Sequence, residues 1–181
     1  AFAFLELVRR RMETEGIAVE EAMARVAPQV VFTTHTPEPA GHDRFPAHLV
    51  EEHLGPLRDA LGLPFEMFLA LGRVDPQNPH EAFCMTVLAV KACHRANAVS
   101  SLHGHVSRGM WRALYPTSRD ELVPIGHITN GVHVNTWLAP QMRNVYGEDL
   151  GANWAQGTPS RRSQGGRDAD ELWDAIDRID D

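Results

Sequence analysis

Ten histidines, two cysteines and one lysine are the side chains of this 181-residue sequence from which catalytic or metal chemistry would first be built. The densest histidine group is His103-Gly104-His105, with His127 and His133 following. A zinc site needs three or four ligands converging on one point. No HExxH, no paired cysteine spacing and no acidic cluster joins these histidines, so no metal is expected and solvated or core-satisfied rings are the plainer reading. Ser100, Ser101 and Ser107 lack the GxSxG turn that would present one of them as a nucleophile. Lys91 is the only lysine among 17 basic residues, so Schiff-base chemistry has a single candidate, and it falls in a helical stretch. Cys84 and Cys93 share an apolar stretch without disulfide-like spacing, sit in apparent helix interiors, and read as free thiols in a reducing, cytoplasmic setting.

The segment Thr33-Thr34-His35-Thr36-Pro37 is different in kind. It puts a histidine and hydroxyl side chains where a short β-branched run gives way to a proline-stiffened loop. Sugar hydroxyls need neutral donors and acceptors held rigidly beside an apolar wall, and this composition suits that task. Spacing alone allows the plainer reading equally well, a strand-end histidine that caps backbone groups.

The surrounding pattern shows what must hold that segment. Apolar residues from Phe2 to Val8, followed by Arg9, Arg10 and Arg11, predict a helix ending near Gly16. A second helix is predicted over Val19 to Val26, with Glu20 and Glu21 near its positive end and Pro28 as its stop. Val30, Val31 and Phe32, with Thr33 and Thr34, read as a buried parallel strand. Pro37, Pro39, Gly41 and Pro46 make His35 to Pro46 a loop, and loops at strand ends are where α/β ligands bind. Helical patterns follow at His48 to Leu61 and Pro64 to Leu71. They are broken from Asp75 to Pro79 and resume in the apolar run Ala82 to Val90. A strand is expected at Ala98 to Ser100, a helix over Val106 to Leu114, then a Pro124 and Gly126 turn leading to Ile128. Asn130-Gly131 reads as a turn in which both residues tolerate positive φ. Trp137 to Tyr146 reads as a helix, Gln156 to Gly166 as a mobile Gly/Ser/Arg-rich loop, and Asp168 to Ile179 as a last amphipathic helix. The fold class is α/β, rich in helix, without internal repeats.

Composition limits the functions available. A hydrophobic fraction of 43% supports one domain-sized core. A net charge of -7 and a pI near 5.8 exclude the basic face that nucleic acid requires. No apolar run approaches ~18 residues, and the N-terminal apolar residues precede the arginines, the reverse of a secretory signal. Neither membrane nor export is expected. The sequence opens on Ala1 as if within a helix and closes as abruptly, so it reads as an internal stretch of a longer protein.

Three runs carry a family resemblance. FTTHTPEPAGHDRF (Phe32 to Phe45), ANAVSSLHGHVSRGMW (Ala96 to Trp111) and IGHITNGVHVNTWLAP (Ile125 to Pro140) resemble, in the same order, segments of the shorter bacterial branch of the α-glucan phosphorylases. The resemblance implies part of the N-terminal, Rossmann-like domain of a two-domain glycosyltransferase of the GT-B type. Residues 1–150 would be a partial glucan-binding domain, and 151–181 a loop and helix leading toward a domain that holds pyridoxal phosphate. It implies cleavage of a terminal α-1,4 bond by orthophosphate with release of glucose 1-phosphate, and it leaves room for a homo-oligomer. By position in the motifs, His35 is the catalytic and substrate-binding histidine that contacts the terminal glucose, and Asn130 is a second glucose-hydroxyl ligand. Trp137 is implied to pack toward the cofactor. His103 and His133 have no securely implied role.

Two departures qualify this resemblance. VHVNT, residues 132–136, replaces the proline and two arginines of the well-studied glycogen phosphorylases, and Glu38 stands where relatives often carry an apolar residue. The glycine-rich cofactor segment with its lysine, and the glycine-rich phosphate-facing loop, are not found in the sequence, so a complete active site is not expected within it. A histidine-dependent metal hydrolase and a non-catalytic glucan-binding module are the alternative readings.

Overall fold

The computed structural model of the chain describes residues 1–151, which fall into two compact units divided after Asn130. The first unit opens with two helices. Phe2–Glu15 (α1) stops where Gly16 takes φ 66°, its amide donating to the Met12 carbonyl at 2.8 Å. Val19–Val26 (α2) buries Val19, Ala22 and Val26 along one stripe, with Glu20 and Glu21 in its first turn and Arg25 in its last. Arg25 reaches Glu15 at 2.5 Å and Glu21 at 2.6 Å, so one guanidinium ties the end of α1 to α2. A 3-10 turn over Ala27–Gln29 then delivers the chain into Val31–Thr34 (β1).

The loop after β1 contains a 3-10 turn at Pro39–Gly41 and a two-residue strand, Arg44–Phe45 (β2). Two helices follow, Ala47–Ala60 (α3) and Phe65–Ala70 (α4), and then the strand Phe83–Cys84 (β3), antiparallel to β2. Met85–Ala92 (α5) runs directly into Arg95–Ala98 (β4), Ser101–Trp111 (α6) and Ile125–His127 (β5). The strands β1, β4 and β5 form one parallel sheet in the order β1-β4-β5. Central β4 is short and small, with Ala96 and Ala98 buried. This mixed helix and parallel-sheet architecture is the α/β class expected from the sequence.

Two apolar clusters hold the unit together. Phe4, Leu5, Val8, Ala22, Val26 and Phe68 are part of one, formed by α1 to α5. Val87, Ala96, Trp111, Val123, Ile125 and Cys84 form the other, around the sheet. Burying apolar area of this kind at roughly 25 cal/mol per Å² is the main force for folding.

Several boundaries differ from the sequence reading. The run Ala82 to Val90 is not one helix. Phe83 and Cys84 pair with β2, and only at Met85 does the helix begin, so Cys84 lies on a strand. The strand expected at Ala98 to Ser100 lies earlier, at Arg95–Ala98, because Ser100 caps α6, its hydroxyl accepting from the His103 amide at 3.1 Å. The helix expected from Val106 therefore starts at Ser101. Ile125–His127, read as a turn, is a strand because it pairs with β4, a tertiary contact that Pro124 and Gly126 conceal. Asn130 and Gly131 need no left-handed residue, since among the described residues only Gly16, Gly62 and Gly151 have positive φ.

In the second unit, the helix expected over Trp137 to Tyr146 is two helices, Val134–Trp137 (α7) and Pro140–Leu150 (α8). Leu138 and Ala139 are extended between them, and Pro140 suits the first turn of the second. The loop expected over Gln156 to Gly166 and the helix over Asp168 to Ile179 lie outside the described residues. Cys84 and Cys93 are free thiols, Cys84 buried and Cys93 half-buried, as expected. Among the described residues no helix is long and apolar enough to cross a membrane.

Candidate functional site

Parallel strands end on one common edge, and in open α/β sheets that carboxyl edge is where ligands sit. Here three connections leave it. His35 follows β1, the Val99-Ser100 link and α6 follow β4, and the segment to Asn130 follows β5. The edge is cross-tied. The Thr33 hydroxyl donates to Asn97 Oδ1 at 3.1 Å between β1 and β4. Beyond β5, the Ile128 amide donates to the Ala98 carbonyl at 2.9 Å and the Asn130 amide to the Val99 carbonyl at 3.0 Å. Asn130 is thus held by backbone pairing even though its strand has ended.

His35 and Asn130 are both exposed beyond the ends of β1 and β5, strands separated by β4, whose axes lie about 10 Å apart. His103 is not exposed. Only 7% of it is accessible, its Nδ1 accepts from the Val99 amide at 3.4 Å, and its Nε2 is buried without a hydrogen-bond partner among the described residues. Val99 therefore lies between His103, which receives its amide, and Asn130, which donates to its carbonyl. His103 backs the edge and does not face out from it.

The loop that carries His35 closes on itself. Thr36 Oγ1 accepts from the Glu38 amide at 3.0 Å, and the Glu38 carbonyl accepts from the Gly41 amide at 2.9 Å. Thr36 and Gly41 touch so closely that a Cβ on Gly41 would lie 2.6 Å from Thr36 Cγ2. The chain then turns inward at His42, which is 6% accessible and shares a 2.9 Å hydrogen bond between its Nδ1 and the Thr86 hydroxyl. Its ring meets Trp111 edge-on, centroids 4.9 Å apart at 85°. Burial first, and the nearby Arg44 charge second, hold the His42 pKa below the ordinary histidine range, against a weaker opposing pull from the Thr36 backbone.

Sequence reasoning had not singled out His42, Thr86, Trp111 or Asn97. The Pro39-Ala40-Gly41 turn before His42 was a local signal for a bend, but the burial of His42 comes from Thr86 and Trp111, far along the chain. Trp137 and His133 belong to the second unit. Trp137 is 81% exposed, and His133 Nδ1 lies 2.6 Å from the Thr136 hydroxyl across the first turn of α7.

Two reactive side chains are committed elsewhere. Lys91 donates to the Ala70 carbonyl at 3.0 Å and the Arg73 carbonyl at 2.5 Å, and burial lowers its pKa. Burial raises that of the Cys93 thiol, which works against its thiolate form. Among the described residues no three His, Cys, Asp or Glu side chains come together as metal ligands. The edge is lined by an imidazole, an amide and hydroxyls, side chains that suit a polyhydroxyl ligand.

No family model matches the chain. It is similar to the maltodextrin phosphorylase of Thermococcus litoralis, 37% identical over 181 residues, which is 100% of this chain and 20% of that protein. The glycogen phosphorylase of Mycobacterium tuberculosis is 39% identical over 158 residues, 84% of this chain and 18% of that protein. That of Aquifex aeolicus is 33% identical over 156 residues, 86% and 22%. The chain spans about a fifth of the length of these relatives. By a likeness that runs through all of its residues, the chain belongs to the maltodextrin and glycogen phosphorylase family.

Proposed function

We propose that this chain is the sugar-binding portion of an α-1,4-glucan phosphorylase, which transfers the terminal glucose of glycogen or maltodextrin to orthophosphate and releases glucose 1-phosphate. The observation that carries this reading is the 37% identity to a maltodextrin phosphorylase over all 181 residues, a stretch that includes both strand-end segments bearing His35 and Asn130. The cross-tied edge of polar side chains supports it. In this reading the fold is the Rossmann-like, helix-rich part of the N-terminal domain of a GT-B glycosyltransferase, and residues 1–150 and 151–181 divide as glucan-binding part and lead toward the cofactor domain. The setting is cytoplasmic, which two unpaired cysteines favour.

The chain's own residues have defined tasks in this reaction. His35 and Asn130 hydrogen-bond one terminal glucose, and the His35 carbonyl faces the positive charge that develops as the glycosidic bond breaks. Trp137 packs toward the cofactor from this side. Pyridoxal phosphate, the cofactor this family implies, would supply acid-base chemistry through its phosphate. The residues described here do not fit its anchor, because Lys91 is engaged by two carbonyls, so no step is assigned to it within this stretch.

The test is direct. The full-length protein bearing this sequence, incubated with maltodextrin and orthophosphate, should form glucose 1-phosphate, and failure to form it would overturn the reading. The 181-residue chain alone should form none and should show no aldimine absorbance.

A further inference from the structure

We propose that His42 is a positioning residue for His35, holding the post-strand loop in the shape that presents His35 at the sheet edge. The inference rests on the sugar-binding reading of His35 and extends it to a residue that the sequence motifs had not marked. Three observations carry it.

The loop is a closed unit from Thr36 to His42. Its two ends touch at Thr36 and Gly41, and its internal amides donate to Thr36, Glu38 and Pro39. A closed loop moves as one body, so the residue that pins one end sets the orientation of the other, where His35 stands next to Thr36.

His42 is that pin. Its ring bonds Thr86 in the first turn of α5 and lies edge-on against Trp111 at the end of α6. Two neighbouring attachments, the Met85 amide donating to the Asp43 carbonyl at 3.0 Å and the short β2–β3 pairing, fix the chain that leaves the loop. The His42 ring joins the loop to both α5 and α6.

Finally, the arrangement carries a cost that a merely space-filling residue would avoid. His42 Nε2 is buried with no hydrogen bond of full geometry among the described residues, the ring having only a weak pull from the Thr36 backbone, and Trp111 Nε1 has no partner among them. A leucine would fill the volume without an orphaned polar atom, whereas it could not bond Thr86. Retaining an imidazole there is explained by the directional bond that fixes the loop.

The experiment compares His42→Leu, His42→Asn and Thr86→Val in the full-length protein. Asparagine places an amide where Nδ1 lies and keeps a bond to Thr86. We expect His42→Leu and Thr86→Val to speed hydrogen exchange of the Gly41 and His42 amides at least 10-fold and to lower kcat/KM for maltodextrin at least 10-fold. His42→Asn should stay within about 3-fold of wild type in both. In a His35→Ala background, His42→Leu should add less than 3-fold. Unchanged exchange in the leucine variant, equal losses for the leucine and asparagine variants, or full additivity with His35→Ala would each overturn the proposal. Silence of His35→Ala itself would instead sink the sugar-binding reading, with the exchange data still deciding whether His42 holds the loop. Should His42→Leu fail to fold, Thr86→Val gives the same two readouts.

Discussion

Gly41 packs its Cα against the methyl of Thr36, five residues earlier, with no room for a side chain between them. Thr36 cannot simply rotate away, since its hydroxyl accepts from the Glu38 amide at 3.0 Å. Gly41→Ala should therefore cost about 1–3 kcal/mol through overpacking. Adding Thr36→Ser, which removes the methyl and keeps the hydroxyl, should restore most of it. Denaturation midpoints of the wild type, the single mutant and the double mutant check this, and a single mutant as stable as wild type would contradict the close contact.

Arg73 is 1% accessible, and its guanidinium is used in three directions. It donates to the Glu81 carbonyl at 2.9 Å, to Glu66 at 2.9 Å and to the Pro79 carbonyl at 3.3 Å. The Glu81 carboxylate in turn accepts from the Val74 and Asp75 amides at 2.7 and 2.9 Å. Arg73→Met keeps much of the volume but leaves two carbonyls without their donor, so a loss of about 2–4 kcal/mol is expected. Urea unfolding measures it, and a loss below the scatter of exposed substitutions would count against this network.

Glu6 accepts from Arg9 at 2.7 and 2.9 Å and from Arg10 at 2.7 Å, and these bonds, those from Arg9 foremost, pull its pKa from 4.5 to about 2. A carboxylate lowered in the folded state contributes stability above its unfolded value, near 4.5, and loses that contribution as pH falls toward 2. The pair is exposed, so the effect is small and screened by salt. Melting temperature followed from pH 5 to pH 2 should drop less steeply for Glu6→Gln than for wild type at low salt. Parallel curves would show that the ion pairs leave the titration unchanged.

If His35 and Asn130 bind the terminal glucose as proposed, His35→Ala and Asn130→Ala in the full-length protein should each cost on the order of 2–4 kcal/mol in kcat/KM, through loss of a hydrogen bond to the sugar in its charged transition state. Both residues are exposed, so melting temperature should barely change. Two residues gripping one ligand should be non-additive, the double mutant losing less than the sum. Strict additivity, or a large fall in melting temperature, would return both to a structural role.

The sequence alone was enough for the helices α1 and α2, where apolar spacing, the acidic first turn of α2 and Gly16 act within one turn of the chain, and for the position of β1 but not its burial: the run expected to be buried lies at the end of the described sheet, with Val31 64% exposed and only Thr34 buried. His35 and Asn130 were singled out by the family resemblance of the runs that contain them; spacing alone left His35 open between a sugar ligand and a strand-end cap. Tertiary structure decided the rest. Ile125–His127 is a strand only because β4 lies beside it, and Phe83–Cys84 is split from α5 only because β2 pairs with it. The inward turn of His42 onto Thr86 and Trp111 joins residues 44 and 69 positions apart, a distance no local periodicity spans. Local rules set by backbone sterics and capping are written in neighbouring residues, whereas pairing and burial depend on which surfaces meet once the chain has closed.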